Sequence, residues 1–224
     1  MIRLIFFVLL IGLICPTIVF SQNKALSLDG DGDYVKVPHS KSLNLSDKVT
    51  LECRILRNSN NTFALIAGNG GGWFDQGYHI MSMLNGRIRL ELQSETMQKT
   101  MIDSNVISND HWHHIAATYD GKTGTVYTDS NVTSLSAHPN GMGNQKADFG
   151  IGFGLYPTYG SGGFFAGSFD GIIDEVRIWN IARTEEEIQA NMNSTLEGNE
   201  EGLVGYWNFD DGTVKDLTTN GNDG

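Results

Sequence analysis

Short apolar runs recur along the whole chain, and residues that favour turns separate them. Many runs alternate apolar and polar positions with a period of two, as in YVKV (34–37) and RIRLEL (87–92). This spacing is typical of strands with one buried face. About eleven such runs are present, and the chain holds 27 glycines but only 4 prolines. The pattern predicts an all-β protein, either a sandwich or a barrel.

One helix is predicted, near residues 185–192. Thr184 and Glu187 have the spacing of a capping box, in which each side chain binds the backbone amide of the other residue. Glutamates fill positions 185–187, where negative charge stabilises the positive end of the helix dipole. No internal repeat and no linker interrupts the rest of the pattern, so we expect one domain.

The amino terminus has the pattern of a secretory signal peptide. A single charge, Arg3, precedes an unbroken apolar run from Leu4 to Phe20. An uncleaved membrane anchor is the alternative, because 17 residues are barely enough to span a bilayer. Pro16 and the polar Ser21 lie where a cleavage region belongs. We therefore expect residues 1–21 to be removed, leaving a secreted, extracellular domain over residues 22–224 with no membrane span.

Charge and cysteine content limit the classes of binding partner and the interactions that can stabilise the fold. The formal net charge is −11, and it becomes −12 once Arg3 is removed, so the surface repels nucleic acid and anionic lipid. Neutral sugars and cations are favoured instead. Cleavage also removes Cys15 and leaves Cys53 without a partner for an internal disulfide. Stability must therefore come from the apolar core, with a metal as a further aid.

Four segments together resemble a known family. They are residues 25–55 (ALSLDGDGDYVKV…ECRI), 111–129 (HWHHIAATYDG…YTD), 169–188 (FDGIIDEVRIWN…EEEI) and 202–224 (GLVGYWNFDDG…GNDG). In this order they resemble the LamG-like jelly-roll domain of the concanavalin A-like lectin/glucanase superfamily. The resemblance implies a two-sheet antiparallel jelly-roll sandwich with one short helix, whose amino- and carboxyl-terminal strands lie side by side.

The chain departs from the family pattern at three places, one of which is Ser130-Asn131, where the family usually has an Asn-Gly hairpin. Arg54 stands where the family usually has a tryptophan, so its strand is expected to lack that aromatic contact. The family continues with another strand after a segment like residues 202–224, whereas this sequence stops at Gly224. The domain is therefore expected to lack its last strand. The resemblance also implies that Trp112 packs in the core.

Three aspartates alternate with glycines just before the short apolar run at residues 34–37. Asp29, Asp31 and Asp33 have the spacing of the first ligands of an EF-hand. The remainder of that loop is missing, because Tyr34 stands where the loop needs glycine and Ser40 where it needs a bidentate glutamate. The residues alone favour a simple turn.

The resemblance implies a calcium ion in the same region. In the superfamily, an aspartate at the start of a carboxyl-terminal strand and groups near the amino-terminal strand often hold calcium. The matching residues are Asp29, Gly30, Asp33 and Asp174, which would supply the carboxylate and carbonyl oxygens that calcium prefers. The alternative is that Asp174 binds only backbone amides. A structural calcium is the cofactor that the sequence predicts.

Catalytic patterns are weak. The superfamily's glucanases carry Glu-x-Asp-x-x-Glu on one strand, and the nearest match, Glu91 with Glu95, lacks the middle aspartate. We interpret these two glutamates as a solvated strand face. His111, His113 and His114 cannot all face one way on a strand, which makes a three-ligand zinc site awkward. The sequence predicts that the protein is not an enzyme.

Two glycine-rich segments, 68–77 and 154–167, carry aromatic residues that we expect to lie at the surface. Aromatic rings stack on the apolar faces of sugars at low entropic cost. These segments are therefore predicted to flank a shallow carbohydrate site. The alternative is that the rings pack against the edge of the sandwich. The function predicted is a secreted, non-catalytic binding or adhesion module for glycans or an extracellular protein. The alternative is an accessory or scaffold domain of a larger secreted enzyme truncated at Gly224. The predicted ligand-binding residues are Trp73, Phe74, Asp75, Gln76, Tyr156 and Tyr159.

Overall fold

The structure is a computed structural model that describes residues 23–59, 63–69, 77–96, 98–137, 142–143, 146–152 and 167–224. The predicted signal peptide lies outside these residues. Within the described ranges, no helix is both long and apolar enough to cross a membrane.

Thirteen strands, one α-helix and one short 3₁₀ helix, Lys41–Leu43, make up the described part of the chain. The strands are antiparallel and form two sheets, as the sequence predicts. In chain order the strands and the helix are β1 (Leu26–Asp29), β2 (Val35–Val37), β3 (Val49–Arg57), β4 (Ala64–Asn69), β5 (Gly77–Ser82), β6 (Arg87–Gln93), β7 (Lys99–Val106), β8 (Trp112–Tyr119), β9 (Thr123–Thr128), β10 (Asn131–Ser136), β11 (Phe149–Ile151), β12 (Asp170–Trp179), α1 (Glu185–Asn191) and β13 (Leu203–Trp207).

The two sheets pack face to face. Sheet A has the order β1-β12-β3-β8-β9-β10, with β13 also paired to β12, and sheet B has the order β2-β11-β4-β5-β6-β7. Strand β12 pairs with β1 through residues 170–173 and with β13 through residues 176–179. The first and last strands therefore follow one another along β12, whereas the resemblance implies that they lie side by side.

The core lies between the sheets and is built mainly from alternate residues of the strands. On β3 these are Val49, Leu51, Cys53 and Ile55, each at most 1% exposed. Burying apolar surface at this interface is the main favourable term in folding. Trp207 stacks on Phe149 of the opposite sheet, with 5.7 Å between the ring centroids, and thereby joins the two layers.

Helix α1 begins and ends close to where the sequence predicts. The hydroxyl of Thr184 accepts a hydrogen bond from the Glu187 amide, and the Glu187 carboxylate accepts one from the Thr184 amide. The predicted capping box is thus confirmed. Ile188 is 2% exposed and packs with Ala116 and Tyr127, so the helix covers the outer face of sheet A.

The segment after β13 has no regular secondary structure, and side chain to backbone hydrogen bonds hold it in place. Asp216 is 3% exposed and accepts hydrogen bonds from the amides of Tyr206, Thr218 and Asn222. The carbonyl oxygen of Asn222 in turn accepts a hydrogen bond from the Trp207 indole. This segment is therefore fixed onto the core without a strand.

Candidate functional site

The six predicted ligand-binding residues, Trp73, Phe74, Asp75, Gln76, Tyr156 and Tyr159, lie outside the described residues, but the ends of their segments are described. Segment 70–76 joins Asn69, the last residue of β4, to Gly77, the first residue of β5. Segment 153–166 is followed by Gly167, which forms an isolated β-bridge with Ala64 at the other end of β4. The two segments are thus attached at opposite ends of one strand, and the outer face of sheet B lies between these points.

A row of residues crosses that outer face. The strand register aligns Gly68, His79, Glu91 and Met101 across β4, β5, β6 and β7. They alternate with core residues such as Leu90 and therefore face away from the core. Gly68 lets the histidine lie close to its neighbouring strand, because a Cβ atom at residue 68 would clash with the Cβ atom of His79.

Charged side chains on this face hold one another in fixed positions. Glu91 binds Lys99 through Oε1 and Nζ at 2.5 Å, and its Oε2 lies 3.8 Å from Nε2 of His79. Beside this pair, the Arg89 guanidinium binds both carboxylate oxygens of Asp103, at 2.5 and 2.9 Å. Such two-point contacts fix orientation as well as charge.

The interpretation of Glu91 and Glu95 as a solvated strand face is wrong for Glu91. Its side chain is nearly buried, at 6% exposure, because Lys99 and His79 offset the cost of burying the carboxylate. Burial by itself would raise the pKa of Glu91, but the nearby His79 ring and the bound Lys99 ammonium lower it to about 2. Glu95 lies beyond the end of β6, so the two glutamates do not share a strand face.

The low pKa of Glu91 predicts a pH-dependent contribution to stability. A lowered carboxyl pKa stabilises the folded state above the unfolded-state value of about 4.5, and this stabilisation is lost as the pH falls towards 2. We expect Glu91→Gln to lower the free energy of unfolding by about 3 kcal/mol at pH 6. The difference from the unmutated protein should shrink towards zero near pH 2, since protonated glutamate resembles glutamine.

Urea unfolding curves at several pH values would measure this difference. Glu95→Gln, in an exposed turn, is the matched control and should change stability by less than about 0.5 kcal/mol at every pH. A deficit of Glu91→Gln that is the same at pH 6 and pH 2.5 would contradict the assigned ion pairs.

Two of the predicted calcium ligands, Asp29 and Asp174, occupy separate places on the outer face of sheet A. Asp29 pairs in register with Asp170, whereas Asp174 lies four residues further along β12. At the rise of a strand, the distance between these two positions is about 13 Å. One calcium ion with oxygen ligands at about 2.5 Å cannot bind both carboxylates. Gly30 lies beside Asp170, and Asp33 is exposed.

Asp174 sits in an acidic, nearly buried environment. Its carboxylate is 4% exposed and accepts a hydrogen bond from the Glu175 amide, which agrees with the alternative that it binds backbone. Burial, together with the nearby charges of Glu175 and Asp210, raises its pKa to about 6. Among the described residues, no group of three or more His, Cys, Asp or Glu side chains is arranged to hold a metal. Structural calcium stays a prediction.

The three neighbouring histidines point to three different partners. His111 contacts the Asn109 carbonyl, His113 contacts Asp129 and Ser108, and His114 lies 3.4 Å from Glu52. They therefore do not converge on one point, as expected from strand alternation.

The expectation that Trp112 packs in the core is wrong. This side chain is 40% exposed, because residue 112 faces outward from sheet A. The guanidinium of Arg54 lies over its ring at 5.4 Å from the centroid. Arg54, which stands at the family's usual tryptophan position, thus contacts an aromatic ring on the neighbouring strand.

The strongest buried charge network lies beneath helix α1, on sheet A. Glu52 is fully buried and binds Nη1 of Arg183 at 2.6 Å, with Nη1 of Arg177 at 3.8 Å. Arg177 also binds Glu175, whose carboxylate accepts the Tyr206 hydroxyl hydrogen. Burial alone would raise the pKa of Glu52, but His114 and Arg183 hold it below its usual value. The enclosure of this network indicates a structural role.

Comparisons with known proteins agree with this architecture. A laminin G family model, described as concanavalin A-like lectin/glucanases superfamily, matches residues 29–189. The chain belongs to this superfamily. Comparison with curated protein sequences gives no match.

Solved structures with a similar fold extend the comparison of this superfamily member. A protein from Bacteroides ovatus, described as carbohydrate binding, is 21% identical with a TM-score of 0.60; the match covers 83% of this chain and 51% of that one. Domain 4 of an extracellular arabinanase from Geobacillus stearothermophilus, in complex with arabinotriose, is 19% identical with a TM-score of 0.57, covering 74% and 75%. The CBM40 of a Ruminococcus gnavus sialidase, bound to α2,3-sialyllactose, is 16% identical with a TM-score of 0.56, covering 75% and 94%. At these identities the likeness concerns the fold.

Proposed function

We propose that this chain is a secreted glycan-binding module that does not cleave the glycan, and that the outer face of sheet B holds the ligand. The observation that carries the proposal is the group of fixed polar side chains on this face, His79, Glu91 and Lys99, which begins beside the attachment point of segment 70–76. Carbohydrate sites combine a few fixed polar groups with aromatic surface. Structural calcium is a separate proposal on which binding does not depend.

His79 provides a specific polar group for a ligand. Its ring is 2% exposed and faces away from the core, and Nδ1 makes no hydrogen bond with any described residue. An unsatisfied nitrogen of this kind costs free energy unless a partner reaches it. The ring is nearly inaccessible to solvent, so a ligand has to displace what covers it; a sugar hydroxyl is then a suitable partner, because it can either donate or accept a hydrogen bond.

The charges on this face favour a neutral glycan. Lys36 binds Asp148 at 2.9 Å, and Lys99 and Arg89 are bound by Glu91 and Asp103 as described above. These cations already have anionic partners, so a sugar carboxylate or sulfate would have to compete with a carboxylate of the protein. The chain's net charge of −11 also opposes anionic ligands.

A second candidate function is an accessory domain of a larger secreted enzyme. One of the similar structures is itself a domain of an arabinanase. In that case the glycan site would be the same, and its role would be to hold the enzyme on a polymer.

Glycan titration tests the binding function. We expect calorimetry with neutral oligosaccharides, including arabinotriose, to detect binding by the unmutated protein. Trp73→Ala should weaken the affinity about tenfold, because the lost ring contact contributes about 1–1.5 kcal/mol. The matched control is Trp112→Ala, which removes an exposed tryptophan from the opposite sheet and should change the affinity less than twofold.

Each contrary result has a defined meaning. Absence of binding across a broad panel of neutral and acidic glycans would contradict the function itself. Binding that depends on Trp112 and not on Trp73 would keep the function but move the site to sheet A.

A further inference from the structure

Three side chains near the start of β8 form a linked series of serine, histidine and aspartate. The Oγ atom of Ser108 lies 3.0 Å from Nε2 of His113. On the other side of the ring, Nδ1 of His113 lies 2.7 Å from Oδ2 of Asp129. These three residues come from the β7–β8 connection, from β8 and from the β9–β10 turn. This is the order and spacing of a nucleophile, a general base and an orienting carboxylate.

The aspartate is fixed so that it selects one form of the histidine. The Asp129 Oδ1 atom accepts the His114 amide hydrogen at 2.9 Å, and the Asp129 amide donates to the His114 carbonyl at 2.8 Å. An ionised carboxylate only accepts hydrogen bonds, so Nδ1 of His113 carries the proton. In the neutral imidazole, Nε2 is then the acceptor for the Ser108 hydroxyl. Asp129 adopts a left-handed backbone with a φ of 54°, which aspartate tolerates in a tight hairpin turn.

The serine is held in place by a buried arginine. Arg57 is 1% exposed; its Nε donates to Oδ1 of Asn109 and its Nη2 to the Ile107 carbonyl, both at 2.9 Å. The Asp110 amide donates back to the Arg57 carbonyl at 2.8 Å. The residues on both sides of Ser108 are therefore tied to one rigid group, while Ser108 itself is exposed.

We propose that Ser108, His113 and Asp129 form a nucleophilic site that hydrolyses small carboxylic esters. This activity goes beyond glycan binding, departs from the sequence-based prediction that the protein is not an enzyme, and uses a different part of the molecule, at the edge between the two sheets. The site is open to solvent, so the substrate class is a small, accessible ester such as an acetyl ester.

The reaction is balanced with water as the second substrate. The Ser108 Oγ atom forms a bond with the ester carbonyl carbon while its proton moves to Nε2 of His113. The carbon–oxygen bond to the alcohol then breaks, and His113 returns the proton to the departing alkoxide. Water attacks the acyl-serine and gives a proton to His113, the acid is released, and the proton returns to Ser108. Asp129 stays ionised and holds the imidazole throughout.

Two measurements on the mature chain test this proposal. The first is mass spectrometry after treatment with a fluorophosphonate, which should show one adduct on Ser108. The second is the hydrolysis of p-nitrophenyl acetate, for which Ser108→Ala should lower kcat/KM at least ~100-fold. Asp129→Asn should lower it at least ~10-fold, because the asparagine no longer selects the required tautomer. Ser134→Ala removes an exposed serine on β10 that pairs with Thr125, and it should leave both measurements unchanged.

The variants separate catalysis by serine from simpler explanations. Equal rates for Ser108→Ala and the unmutated protein would show that His113 acts alone or that the three residues are only structural, and would overturn the proposal. Absence of a Ser108 adduct would overturn it as well. Thermal unfolding of Ser108→Ala, expected within about 2 °C of the unmutated protein, confirms that the lost rate is not lost folding. Glycan titration of the same variant should be unchanged, so binding and hydrolysis succeed or fail independently.

Discussion

Glu52→Gln is expected to lower the free energy of unfolding by about 3–5 kcal/mol at neutral pH, because it removes the buried anion between Arg177 and Arg183. The variant keeps the shape of the side chain and changes its charge. Arg177 would keep the carboxylate of Glu175, whereas the nearly buried Arg183 would keep only neutral oxygen partners, the Glu187 carbonyl and Asn191. Taking one partner from a buried ion pair is far more costly than losing an exposed pair.

Urea unfolding followed by tryptophan fluorescence would measure this loss. The matched control is Glu186→Gln in the exposed first turn of α1, which should change stability by less than about 0.5 kcal/mol. A loss below about 1 kcal/mol for Glu52→Gln would mean that Asn191 and the Glu187 carbonyl, which also bind Arg183, are sufficient partners.

Asp216→Ala is expected to cost a similar amount, about 3–5 kcal/mol, by a different mechanism. The substitution leaves three backbone amides, those of Tyr206, Thr218 and Asn222, without the carboxylate that accepts their hydrogen bonds. Each buried donor left without a partner costs about 1–3 kcal/mol. Hydrogen exchange should show the largest gain in rate at the Asn222 amide, with chemical denaturation giving the total loss.

Asp211→Ala is the control for this second variant. Asp211 also binds backbone, accepting the Thr213 amide hydrogen at 2.8 Å, but it is exposed, so water can replace it. We expect a loss below about 1 kcal/mol. If the two aspartate variants were equally stable, the segment after β13 would not depend on Asp216 for its attachment to the core.

Features that depend on nearby residues were predictable from the sequence. The capping box needs only Thr184 and Glu187, and α1 begins where that pair predicts. Strand alternation likewise predicts the faces of β3 and β6. The family resemblance adds the pairing of these strands into two sheets, which the strand order of the structure confirms.

Features that depend on register were not predictable. The partners Glu91 and Lys99 lie on neighbouring strands, and only the alignment of β6 with β7 brings them together. The same is true of Ser108, His113 and Asp129, which come from three parts of the chain. Trp112 shows a second limit of the sequence. A residue that belongs to a strand typical of the family can still lie on either face of the sheet, because a shift of one residue moves its side chain to the other face.

Cys53 offers a chemical reporter for the opening of the sandwich. Its thiol is fully buried on the inner side of β3, and burial, with the adjacent charge of Glu52, raises its pKa far above that of a free thiol. A thiol reagent needs both access and the thiolate form, so the folded state protects this sulfur in two ways. In a chain that begins at Gln22 it is the single thiol. The rate at which a thiol reagent labels it would therefore measure how often the two sheets separate.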